Sequence, residues 1–499
     1  MPLGKKYNTQ LVTIRSESSL EANMTPEAER ALPFVSVKYV LGFTIFFVLL
    51  AVGRGPATTG AMIGLCIWAV FGPSQAIRAL SLGITIKYLN SAVFAYTGLE
   101  GTLAWALLFI SAIRVLPFVV QRVSVVLPIF VFSIPVAMLS LTTSEWPEIS
   151  IMKLIAFTFG ALTALTAFGA LKETERDLIR RWFFSLFISI IVLSLPTLFF
   201  PAIAHARAAE AGFQGILNHP QAFGIFLAPV SAWLLTGVLF RPKKIQKVQL
   251  AVVIGLFMLI LLSGARTALV TVLLSVTATF MVVVFIKNKE RIMARPSRAV
   301  AIGAGILGCL LIVALISTSV EKSLTGFVFK GESKSDDVGE AFHASRGKGA
   351  EIQWKNFMTK PLTGHGLGIY PGEMRRDNVV EFMGIPISAP VEKGFLPTAI
   401  LEETGIIGTV SFLILLFVLA RRAIKASDIR WCSFFFACIF INIGEVVIFS
   451  VGGIGFFFWL LIGLATMEDT NKGFEEVVHA SPSRRRRVLY KKESMERCK

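Results

Sequence analysis

The chain has 499 residues, 54% of them hydrophobic and only 16% charged, with a mean hydropathy of +0.70, which excludes a soluble domain of this size. Its net charge of +17 does not point to nucleic acid. The basic residues fall mostly in short loops between apolar segments and in the tail, where they set orientation and meet anionic lipid. Residues 1–34 form a polar leader without the pattern of a cleavable signal peptide. Apolar segments follow at about 35–53, 57–73, 79–96, 101–118, 124–141, 151–171, 181–200, 219–239, 248–263, 267–286, 299–319, 396–420, 430–449 and 452–467. They predict an all-α, polytopic integral membrane helix bundle of about 12–14 transmembrane helices. Lys87 and Asn90 interrupt the third segment, and only a short turn separates the last two.

With the N-terminus inside and the spans alternating, Arg78, Arg114, Arg122, Lys172, Arg176, Arg180, Arg181, Arg421, Arg422, Lys425 and Arg430 fall in inner loops. Arg54, Arg207 and Arg266 are the basic residues left to short outer loops. The positive-inside rule therefore places both termini in the cytoplasm, with a basic patch at Arg484–Arg487 in the tail. The expected organisation is a leader (1–34), an N-terminal transmembrane bundle (35–320), one long outer loop (321–395), C-terminal transmembrane helices (396–467) and a basic cytoplasmic tail (468–499). The long loop carries an amphipathic run with Arg346, Ala350, Trp354 and Phe357 at helical spacing, read as a surface helix. A turn-rich stretch, Pro361 to Gly368, follows it.

Chemistry is expected at the outer face. The turn Ser263-Gly264-Ala265-Arg266-Thr267 carries the only full charge between Val248 and Ile286. Arg266 is either a lipid-snorkelling side chain or an anion ligand. Four of the five histidines, His205, His219, His343 and His365, are expected on this side. They lack metal-ligand spacing, so no metal and no cofactor is expected. Asn218-His219-Pro220-Gln221 opens a span with Asn218 as the expected helix cap. The helix would aim its positive end outward, where an anion could bind. Glu402 and Glu403 lie a turn or two inside another span, after a Glu392-Lys393 pair. Cations, helix N-termini and carboxylates at a membrane boundary suit a ligand with an anionic head and a greasy tail. A lipid-linked diphosphate is such a ligand: arginines would hold it and stabilise its departure, and a carboxylate or histidine would deprotonate an attacking hydroxyl.

Several segments, in order, resemble the bacterial O-antigen ligase and O-antigen polymerase superfamily. Ser144-Glu145-Trp146-Pro147 is similar to an outer-loop signature, and Gly215 to Phe223 to a G-x-x-x-[HN]-P-[NQ] span start. Ser263 to Ala268 is similar to an S-x-S/A-R-T turn. Arg346-x7-Trp354 with Pro361 to Gly368 resembles an R…W…PLxGxGxG loop, and Leu401 to Gly408 an L-x-E-x-G-x-x-G span. The resemblance implies a multi-pass glycosyltransferase of the bacterial inner membrane. It would transfer a glycan from undecaprenyl diphosphate to a hydroxyl of a glycan or lipid-core acceptor at the periplasmic face, within surface polysaccharide (O-antigen or exopolysaccharide) biosynthesis. The partners implied are this lipid-linked donor, the acceptor and membrane lipids, with no nucleic acid. It assigns the diphosphate to Arg266 and Arg346, with Lys393 and Arg207 as further cations. The substrate cavity would include Asn218, His219, Gln221 and Trp354. Glu392, His365 and Glu403 are the acid–base candidates, Glu392 ahead of His365 for the base. The His-Asn pair common before the L-x-E-x-G segment is replaced by Pro390 to Phe395, which favours a polymerase branch over a ligase. The alternatives from other classes are a multi-pass anion transporter and a non-catalytic scaffold of a polysaccharide assembly complex.

Overall fold

The computed structural model describes residues 34–204, 212–240, 247–287, 348–371, 380–382, 385–388, 393–426 and 428–467. The expected span at 299–319, the leader and the tail lie outside them. The protein is an all-α polytopic membrane helix bundle. Among the described residues, seven helices are long and apolar enough to cross a membrane, and three shorter apolar helices accompany them.

The first helix, α1 (Val37–Ala69), breaks at Arg54, which has φ 52° and ψ −148°. Phe43 and Trp68 both pack on Trp182, at ring-centroid distances of 4.6 and 5.6 Å. A straight helix would separate these residues by about 37 Å, so the chain reverses at Arg54 and α1 is a tight hairpin of two limbs. The third apolar segment begins and ends earlier than the hydropathy suggests. Helix α2 (Pro73–Lys87) stops where the polar residues begin. Asn90 then binds the Ile203 carbonyl and the Ala92 N–H, turning the chain into an irregular stretch.

Helix α3 (Glu100–Val115) leads through a 3-10 turn (Leu116–Arg122) into α4 (Val123–Thr143), followed by α5 (Pro147–Ala167) and α6 (Glu173–Ser194). After a short α7 (Pro201–Ala204) come α8 (Pro220–Phe240), α9 (Lys247–Leu262) and α10 (Arg266–Val282). Helix α8 is buried along nearly its whole length and forms the centre of the bundle. The surface helix expected in the long loop is α11 (Lys348–Thr359). A small antiparallel hairpin, β1 (Val380–Phe382) with β2 (Ile385–Ser388), follows it.

The C-terminal part departs most from a simple row of spans. Helix α12 (Leu396–Lys425) breaks at Gly405, with φ 61° and ψ −169°. The limb after the break runs beside α4, from Gly408 against Val136 to Arg422 on Ser124. This second limb is therefore the spanning one, and the limb before the break stands at its end. Helix α13 (Arg430–Phe440), with its 3-10 extension Ile441–Ile443, and α14 (Ile454–Ala465) are each shorter than the ~20 residues that cross a bilayer. The segment 444–453 that joins them lies at mid-helix depth: Phe449 packs on Phe132, Phe157 and Phe412. The two expected full-length spans at 430–449 and 452–467 are thus two half-length helices meeting inside the bundle.

The break in α12 requires glycine. A Cβ at position 405 would lie 2.4 Å from the Leu362 carbonyl oxygen, and φ is in the left-handed region. We expect Gly405→Ala to lose at least about 1–2 kcal/mol, read as a lower thermal unfolding midpoint of the detergent-purified protein. Gly255→Ala, on the open face of α9 where a Cβ meets nothing within 4 Å, should hold or raise that midpoint.

Candidate functional site

The Gly405 break leaves backbone groups open on both sides of it, and one loop satisfies both. The N–H groups of His365 and Gly366 donate to the carbonyls of Glu402 and Glu403 at 2.9 and 2.8 Å. On the other side, the N–H groups of Ile406 and Ile407 donate to the carbonyls of Pro361 and Leu362 at 2.9 and 3.3 Å. The loop itself is anchored on the α4–α5 turn. Lys360 Nζ donates to Thr143 O at 2.7 Å, and Gly366 approaches Ser144 so closely that a Cβ there would stand 2.4 Å from its hydroxyl. Gly364, Gly366 and Gly368 all have positive φ, which this path demands.

Beneath the loop lies a buried charge network. Lys393 Nζ donates to Glu402 Oε2 at 2.5 Å, to the Ile369 carbonyl at 2.6 Å, and pairs with Glu403 Oε1 at 3.1 Å. Asn356 Nδ2, from α11, holds the second Glu402 oxygen at 2.6 Å. Lys153 of α5 donates to Gly368 O at 3.2 Å and lies within electrostatic reach of Glu403 and Lys393. Lys393, Glu402 and Glu403 are only 5%, 0% and 6% exposed. Two carboxylates and two ammonium groups therefore balance in a low-dielectric site, which is what makes their burial tolerable.

His365 borders this network. Its Nε2 is 3.0 Å from the Asn356 carbonyl and 2.9 Å from Thr359 Oγ1. A carbonyl only accepts, so Nε2 carries the hydrogen. The buried Nδ1 has no hydrogen-bond partner among the described residues. Asn356 thus links the His365 ring to Glu402.

A second set of candidates gathers around the Arg266 turn. Gly264 has φ 66°, and Arg266 begins α10, half-buried. The turn packs on the start of α8: Gly224 would bring a Cβ within 2.2 Å of Ala265 Cβ, and Phe213 N donates to Leu262 O at 2.8 Å. Asn218 does not cap α8 as expected. His219 does, accepting from Gln221 N on Nδ1 at 3.1 Å, because Pro220 occupies the first helical position and moves the cap to the residue before it. Asn218 instead donates its backbone N–H to Tyr88 O, and its buried Oδ1 has no partner among the described residues. Asn218, His219 and Gln221 are half-buried beside this turn.

The structure thus joins His365, Lys393 and Glu403 in one network, and seats Asn218, His219 and Gln221 next to the Arg266 turn. Trp354 stands apart: it is 49% exposed and packs on Phe357 at 5.2 Å, while the buried face of α11 runs through Gln353 and Phe357. Glu392, Arg346 and Arg207 lie outside the described residues. Asn356 and Lys153 belong to the network without having been singled out from the sequence as site residues, and Glu402, noted there beside Glu403, is fully buried in it. Lys153, a lone lysine inside an otherwise apolar segment, was the readable signal. No protein-family model matches the chain, and no curated protein matches it.

Removing one partner of a buried pair leaves the other charge uncompensated, at about 3–5 kcal/mol. Lys393→Met should therefore destabilise the folded protein by that order, and adding Glu402→Gln in the same chain should recover part of the loss. Chemical unfolding of the single and double variants measures this coupling; strictly additive losses would show that the pair is not coupled.

Proposed function

We propose that this chain is a membrane glycosyltransferase of the O-antigen ligase/polymerase type, acting at the periplasmic face of the bacterial inner membrane. It moves a glycan from undecaprenyl diphosphate to an acceptor hydroxyl in surface polysaccharide biosynthesis, on the polymerase branch. The observation that carries this reading is the network under the Gly405 break, where His365, whose Nδ1 has no hydrogen-bond partner among the described residues, is linked through Asn356 to the buried Glu402–Lys393–Glu403 cluster. This set is suited to taking a proton from a neutral hydroxyl.

In this reading the acceptor oxygen attacks the anomeric carbon while the bond from that carbon to the diphosphate oxygen breaks. The hydroxyl proton passes to His365 Nδ1, and the diphosphate leaves with its bonding electron pair. Arg266 stabilises the charge on the departing diphosphate, aided by the N-terminal dipoles of α10 and α8. Lys393 and Asn356 hold the carboxylates in place and so act as positioning residues. The concentration of basic residues in alternate short loops supports this orientation.

Arg266→Ala is expected to insert normally and to lose transfer by about 100-fold or more, the size of an oxyanion-stabilising contact. The measurement is elongation of undecaprenyl diphosphate glycan by the purified full chain; a wild-type rate would overturn the assignment. For the base, His365→Ala should abolish turnover, with Glu392→Gln far less damaging. The reverse order would return the base to Glu392.

One feature favours the second reading, an anion transporter: the half-helices α13 and α14 meet within the bundle, as broken helices do in carriers. In a deletion strain the two readings separate. Shortened surface glycan supports the polymerase, and unaltered glycan with altered ion uptake supports the transporter.

A further inference from the structure

Helix α11 carries a strip that the buried network does not use. A helix turns about 100° per residue, so three strips follow one another around it. Gln353 and Phe357 are buried, and Gln353 bonds Thr398 at the start of α12. Next come Trp354 and Met358, an apolar pair left 49% and 60% exposed. Beyond them Glu351 and Lys355 pair at 2.7 Å on a charged, exposed strip. Ile352 lies past that strip as a single exposed apolar residue. The apolar pair thus sits between protein on one side and charge on the other, the sidedness of a helix lying in a membrane interface.

The strip does not end with the helix. Leu362, four residues after Met358, is 59% exposed in the turn that Gly364 N closes on Lys360 O at 2.9 Å. Its carbonyl accepts from Ile407 N, so it stands at the start of the spanning limb of α12. Along that limb the exposed residues Ile406, Val410, Ile414 and Phe417 recur at helical spacing and form its lipid-facing stripe. Ile406 stands about 24 Å along the limb from Arg422 at its basic end, against a hydrocarbon core of about 30 Å. Leu362 therefore lies at the edge of the hydrocarbon. Trp354 and Met358 continue the stripe to headgroup level, where Trp is a favoured side chain.

The bilayer that covers the α12 stripe is thus within reach of its continuation on α11. We propose that α11 is seated in the bilayer, with Trp354, Met358 and Leu362 inserted among the lipids of the leaflet nearest Gly405. The seat bears on the network, because α11 also carries Asn356. The Asn356 side chain holds Glu402, and its carbonyl meets His365 Nε2. Lipid contact on one strip fixes the helix that positions Asn356. The proposal does not rest on the glycosyltransferase reading.

The test uses the full chain in nanodiscs whose lipids carry bromine, a tryptophan quencher, either near the headgroup or near the chain ends. The Trp354 contribution is the difference between the wild type and Trp354→Phe. Lipid brominated near the headgroup should remove most of that contribution, lipid brominated near the chain ends less, and iodide in the buffer little. Adding Lys355→Trp to Trp354→Phe moves the indole to the charged strip, where iodide should quench it and brominated lipid should not. A Trp354 contribution quenched by iodide and untouched by either lipid would overturn the proposal. So would one shielded from all three quenchers, since a protein partner would then cover the strip, or equal lipid quenching at positions 354 and 355. Met358→Asp combined with Leu362→Asp should accelerate amide hydrogen exchange across 348–359 while α8 stays protected. Unchanged exchange across 348–359 would overturn the link between the lipid seat and Asn356.

Discussion

The architecture at the Arg266 end depends on one arrangement: a helix broken at Gly405 whose open backbone groups are satisfied by a single loop. Away from water, each unpaired N–H or C=O costs free energy of the order of a lost hydrogen bond. Residues 361–366 supply four complementary groups, two on each side of the break. The loop lacks regular structure of its own, and the break would expose both limb ends. Their mutual satisfaction fixes the height at which Glu402 and Glu403 stand, at the end of the spanning limb and not within it.

That height makes the charge network tolerable. Carboxylates buried inside a span would demand strong compensation. Here they sit where three elements converge: Lys393 ahead of α12, Asn356 from α11 and Lys153 from α5. The convergence couples sequence positions more than two hundred residues apart, so the network also ties the loop region to the transmembrane bundle. His365 shares both roles, since its backbone closes the helix break while its ring borders the charges.

Much of this was legible in the sequence, and the limits have physical causes. Apolar run length reveals helices because a bilayer demands them, and the glycine-rich turn and the Arg266 hairpin stood out as polar interruptions. Hydropathy does not locate a break such as Gly405, because glycine is neutral on that scale and the apolar residues on either side outweigh Glu402, Glu403 and Thr404 over a span-length window. The same blindness merged 430–449 into one span, although its last residues turn away at Gly444. The pairing of Lys393 with Glu402 could not be read either: two consecutive glutamates offer the same chemistry, and only the helix phase and the position of Asn356 decide which is sequestered. The cap of α8 was misplaced by one residue because Asn is the commoner cap type, whereas Pro220 at the first helical position assigns the cap to His219.

The meeting of α13 and α14 bears on whether this region moves. Irregular backbone at membrane depth persists only when its polar groups are paired. Asn442, 1% exposed, does most of this: its Oδ1 accepts from the N–H groups of Val447 and Ile448, and its Nδ2 donates to the carbonyls of Cys438 and Ile439. Trp459 Nε1 takes the Ile448 carbonyl, and Lys87 takes that of Gly452. Phe449 is locked among three further rings. A carrier needs such a segment to exchange partners between two states, and each exchange here would strand several buried groups at once. Held this way, 444–453 is a fixed floor beneath the Arg266 end, with Gly444 set directly against Thr267. A fixed floor supports a reaction surface more readily than an alternating gate.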